Sequence, residues 1–131
     1  MININPKKYP ILASKPLEQW HKEMWVWLAQ HPQSSKKDYV NMTFTDDEIA
    51  LLGRSWNCFA CIFAGRIKPE KSSKAPYTFS CEFCPICNFG NHGLSCCGGL
   101  FDKYATASAH HDYDDVYEAA MQIANLEWRI K

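Results

Sequence analysis

Seven cysteines stand between positions 58 and 97, and their spacing is the first chemistry the sequence offers. Cys58 and Cys61 have two residues between them in "NCFACIFAG"; after nineteen intervening residues, Cys81 and Cys84 repeat that spacing in "CEFC". Zinc is held by four tetrahedral ligands, mostly thiolates and imidazoles, and a short C-x2-C turn brings two thiolates within reach of one ion. Two such turns separated by a loop of this length match the pattern of a structural zinc site. One pair alone would be a weak signal; two at this separation predict a Zn2+ site. The residues themselves leave its membership open. Cys84-Pro85-Ile86-Cys87 is a further C-x2-C, and Cys96, Cys97 and His92 are additional donors. With four positions to fill, the remaining thiols are spare buried hydrophobes or serve a second ion.

Other chemistries fit the cysteines less well. A redox dithiol of the thioredoxin kind needs a βαβ context with the motif opening a helix, and nothing before residue 57 reads as such strands. A nucleophilic cysteine needs a histidine base and an orienting partner. His110, His111 and Asp112 could supply those groups, but no one cysteine is singled out as their nucleophile. Zinc deaminases pair H-x-E with P-C-x-x-C. Here His21-Lys22-Glu23 is present, but Pro85 follows Cys84 instead of preceding it, and alternating α/β elements are missing. With no general acid–base pair and no substrate pocket in view, the expectation is a protein that is not an enzyme.

The elements that must position the cysteines read as helices. Ser14 is a candidate cap and Pro16 a first-turn residue for a helix over 14–31, ended by His31-Pro32. Leu17, Trp20, His21, Met24, Trp25, Trp27 and Leu28 cover a broad face of it, chiefly as core and otherwise as a partner surface. His21 is expected to be half-buried beside Trp20 and Trp25. "QSSKKDYVNM" reads as a polar connection. Thr45 to Glu48 fits a capping box opening a short helix over 45–53, with Gly53 as its stop. The cysteine-rich region, 57–99, is expected to be irregular, with "YTFSCEF" as a short strand and Gly and Asn abundant near its end. A last helix is expected over 114–130, its small alanines allowing close approach to the tryptophan-rich first helix. The fold class is therefore mostly α, with an irregular zinc-organised middle and short strands at most, which leaves room for a small α+β arrangement. One domain over 1–131 is expected.

Composition narrows the partners. Fourteen basic and fourteen acidic residues cancel, and 47% of residues are hydrophobic, which excludes a disordered chain and a strongly basic nucleic-acid binder. No stretch approaches the roughly 20 apolar residues of a membrane helix. "MININPKKYP" lacks the apolar run of a signal peptide, so a cytoplasmic location is expected, where thiols stay reduced and available to metals. A local basic cluster remains in Arg54, Arg66, Lys68, Lys71 and Lys74, which would be the contacts of an alternative nucleic-acid-binding zinc protein.

The order of "EMWVWLAQHP", "NCFAC", "CEFCPI", a late cysteine before "GLFDKY", and "AMQIANLEWR" resembles a group of small cysteine-rich phage and prophage proteins. Those carry a W-L-A-x-x-P helix, C-F-A-C-E-Y, C-x-x-C-P-L, a cysteine before S-L-Y-x-x-W, and a final A-x-x-I-x-x-L-P. The likeness runs over most of 20–129. The chain departs from the pattern at Ile62, where the group has an acidic residue, in its long 61-to-81 loop, and at Leu126-Glu127. The resemblance implies Cys58, Cys61, Cys84 and Cys96 as zinc ligands, with Cys81 the alternative to Cys96; Cys87 falls outside the pattern. It also implies a phage setting: an accessory protein in the host cytoplasm that binds a host or phage protein, for instance as an inhibitor of host defence such as an anti-CRISPR.

Overall fold

The computed structural model describes residues 4–54, 57–64 and 100–128, and these are mostly α-helical, with no strand among them. A short 3-10 turn, Leu12–Ser14, leads into α1 (Leu17–Gln30), followed by α2 (Lys36–Thr43), α3 (Asp46–Gly53), α4 (Phe59–Ala64), α5 (Leu100–Ala109) and α6 (Tyr113–Ala124).

Helix α1 is the centre of the packing. Trp20, His21, Met24, Trp25, Leu28 and Ala29 are all buried, so the tryptophan-bearing face is principally core, while Leu17 and Trp27 are half-buried at its edges. Its partner along most of its length is α6, which buries Val116, Ala119, Ala120, Ile123 and Ala124. Three of those five are alanines, small enough for close helix packing, and α5 also packs on α6, with its Tyr104 and Ala107 buried. Trp25 meets Tyr104 edge-on at 4.9 Å between ring centroids, a favoured aromatic geometry.

Several boundaries differ from those expected. Ser14 does not cap α1: its hydroxyl donates to the Ile11 carbonyl within the preceding 3-10 turn. Pro16 takes the cap position, its carbonyl accepting from Gln19 and Trp20, 3.1 Å in each case. The supposed polar connection is a helix, α2, opened by a full capping box between Ser35 and Asp38 and closed onto the core by Tyr39 and Val40. Helix α4, inside the region expected to be irregular, and helix α5 are further additions. The last helix stops at Ala124 instead of running to 130. At that point the Ile123 carbonyl accepts from Leu126 N–H at 3.2 Å and from the His21 ring at 3.0 Å, which closes the helix end. Trp128 then lies buried against His21 and Phe63.

Helix α3 begins where its sequence places it. Thr45 Oγ1 accepts from Glu48 N–H and Glu48 Oε1 from Thr45 N–H at 2.9 Å, satisfying two end amides reciprocally. The same carboxylate reaches further. Its second oxygen accepts the N–H of Leu12, while the Leu12 carbonyl accepts from Trp20 Nε1 at 2.9 Å. Leu12 is thereby held by both backbone groups, and its side chain is fully buried. This fixes the N-terminal lead-in across α1 and α3.

Candidate metal-binding turn

The first C-x2-C turn is assembled by α3 and α4. Arg54 closes α3, its N–H shared between the Leu51 and Leu52 carbonyls. The Leu52 carbonyl also accepts from Asn57 N–H at 2.8 Å, and Asn57 has a left-handed φ of 55°. Asn tolerates that conformation better than most residues because its short polar side chain bonds locally. Asn57 leads directly into Cys58 at the start of α4. The Cys58 carbonyl accepts from Ile62 N–H at 3.1 Å, so Cys58 occupies the capping position and Cys61 is the third residue of the helix.

A six-residue helix has little stability of its own and depends on what it packs against. Phe59, Ala60 and Ile62 are fully buried. Phe59 stacks near Trp20 at 6.2 Å and meets Phe44 at 6.0 Å. Phe63 is half-buried and edge-on to Trp128 at 5.1 Å. The apolar residues on both sides of Cys61 are thus committed to the core. Cys58 is half-buried, at the margin between core and solvent.

Cys58 and Cys61 keep the C-x2-C spacing of a zinc-binding turn, on a short helical segment packed into the core through Phe59, Ala60 and Ile62. The other expected ligands, Cys81, Cys84 and Cys96, and the competing donors Cys87, His92 and Cys97, lie outside the described residues, as do Arg66, Lys68, Lys71 and Lys74. Of the basic cluster, Arg54 is described, half-buried at the end of α3. Among the described residues no three of His, Cys, Asp and Glu come together as a metal site. No helix among them is long and apolar enough to cross a membrane.

His21 is, with Glu48, one of two ionisable groups buried in the described core. It is fully buried, more so than the sequence suggested, with Trp25 at 6.5 Å and Trp128 at 5.7 Å on either side. Burial lowers its pKa to about 4, outweighing the bond to the Ile123 carbonyl, which favours the protonated ring. At neutral pH it is therefore an uncharged imidazole whose Nε2–H donates to α6. This role tells against His21 as the ligand of a deaminase-like zinc.

What the sequence reading passed over was Glu48 as a long-range clamp. The capping box announced its local role; the bond to Leu12 spans thirty-six positions and has no local signature. Helix α2 did carry a signal, Ser35 three residues before Asp38, followed by Tyr39 and Val40. No protein family, no curated protein and no solved structure matches the chain.

Proposed function

We propose that the chain is a zinc-binding accessory protein of phage type that performs no catalysis and acts by binding a macromolecular partner, a host or phage protein. Inhibition of host defence, including anti-CRISPR action, is the form of this activity that the phage resemblance favours. The observation that carries the metal part is the seating of "NCFAC": Cys58 and Cys61 bracket the fully buried Phe59 and Ala60, and Ile62 directly after Cys61 is buried as well. A preset half-site lowers the ordering cost of completing the tetrahedral shell with later thiols. A closed four-thiolate site leaves no open position for bound water, which accords with a structural ion and not a catalytic one.

Metal analysis of purified wild type and two serine variants tests this reading. One zinc per chain is expected for wild type and for Cys87→Ser, and none for Cys58→Ser. Equal loss from both variants would overturn the ligand set. Retention on DNA or RNA at low salt that weakens steeply as salt rises would instead support the nucleic-acid reading through Arg54, Arg66, Lys68, Lys71 and Lys74.

A further inference from the structure

Helix α6 has a second face that the core does not use. Its buried side is committed to α1 through Val116, Ala119, Ala120, Ile123 and Ala124. On the outside Tyr113 and Tyr117 stand one turn apart, 37% and 52% exposed, the two large exposed hydrophobics that share an element among the described residues. Tyr117 continues into half-buried Met121 and Leu126, and these three line a concavity together with Asp114 and Glu118. Tyrosine is enriched at protein interfaces because a rigid apolar ring ends in a hydrogen-bonding hydroxyl.

The charged residues that line this concavity, Asp114 and Glu118, are both acidic. Between 112 and 126 the sequence places two further carboxylates, Asp112 and Asp115, and no lysine or arginine. The hydrogen bond and charge of Asp112 raise the Asp115 pKa above its ordinary value, with Glu118 adding and Lys103 of α5 partly offsetting. An added cation would relieve this repulsion, and an apolar side chain would cover Tyr117, Met121 and Leu126.

We propose that the outer face of α6 is a docking surface for a basic amphipathic segment of a protein partner, its apolar side chains seated over Tyr117, Met121 and Leu126 and its lysines or arginines on Asp114 and Glu118. This rests on the partner-binding reading above and is independent of zinc. Nucleic acid is the wrong charge for the surface, since phosphates would meet carboxylates.

The test uses the full chain and a synthetic helical peptide with one leucine face and one lysine face, with a leucine–glutamate peptide of the same design as control. Calorimetric titration should show binding of the lysine peptide and none of the glutamate peptide. Tyr117→Ala should weaken binding about tenfold, the scale of losing a central aromatic anchor. The double variant Asp114→Asn, Glu118→Gln should weaken it and flatten its salt dependence. Asp46→Asn with Asp47→Asn removes the same charge from an exposed turn of α3 and should change affinity less than about twofold. Equal weakening by the α3 and α6 charge variants would reduce the effect to general attraction and overturn the proposal. So would a dimer of the wild type that Tyr117→Ala returns to a monomer, because the face would then be a self-contact. A host or phage protein captured equally by wild type and Tyr117→Ala would leave the partner-binding reading standing and remove α6 from it.

Discussion

His21 and Glu48 are the two polar side chains buried in the described core, and they are buried on different terms. His21 sits in the seam between α1 and α6 among tryptophans, donates one hydrogen bond to a helix-end carbonyl, and stays neutral because its surroundings exclude charge. Glu48 sits at the start of α3 and meets two backbone amides from separate segments, Thr45 and Leu12. The seam is held chiefly by apolar area, with a polar group fitted into it; the clamp is held by directed bonds around one buried leucine. The seam should therefore be more sensitive to volume and to proton uptake, and the clamp to the identity of single atoms.

The largest expected effect is on the seam. Trp25 is buried beside His21 on α1 and edge-on to Tyr104 and Phe101 of α5, at the margin of the seam, and truncation to alanine would leave a cavity there. Trp25→Ala should cost about 3–5 kcal/mol in denaturant unfolding. A loss under about 1 kcal/mol would show that the seam repacks readily and that the comparison with the clamp is drawn wrongly.

Next comes pH. The His21 pKa is lowered from 6.5 to about 4 in the folded chain, so the unfolded state binds the proton more tightly. This contribution is complete above pH 6.5 and is lost as pH falls toward 4, amounting to about 3 kcal/mol. His21→Gln keeps a donor and removes the titration. Unfolding followed from pH 7 to pH 4 should show wild type losing more stability than the variant by roughly that amount. Parallel curves would mean that His21 is protonated without leaving its site.

The clamp should give the smallest change of the three and the most atom-specific one. Glu48→Gln retains one acceptor oxygen and presents an amide N–H2 to a second backbone N–H. One of the two bonds must fail, at a cost of about 1–2 kcal/mol. Glu48→Ala removes both acceptors and should cost more than Glu48→Gln; equal losses would mean that one of the two amides contributes nothing.

Much of the seam was legible in the sequence, and little of the clamp. Helical spacing of Trp20, Met24, Trp25 and Leu28 on one side, and of Val116, Ala120 and Ile123 on the other, marks faces that must find each other, because periodicity encodes burial directly. The end of α6 at Ala124 was not legible. Apolar residues continue at the right spacing to Ile130, while the backbone leaves the helix at Asn125 and the Ile123 carbonyl is taken by local amides and by a histidine 102 positions away. The Leu12–Glu48 bond is hidden for the same reason. In the turn around Cys58 and Cys61, spacing is the ground of the zinc reading, and the aromatic residues beside the cysteines marked the packing of Phe59 and Phe63. Which later thiols would complete a zinc shell is a matter of tertiary approach, which spacing alone does not encode.

The seam and the clamp together fix the platform on which α4 rests, and the account turns on what that platform is for. Thermal unfolding of the purified chain with and without a zinc chelator is the most direct measurement. If Cys58 and Cys61 begin a structural zinc site, wild type melts cooperatively with its metal, and the stripped chain loses that cooperativity and regains it when zinc is restored. A zinc-free chain that melts unchanged would contradict the zinc reading.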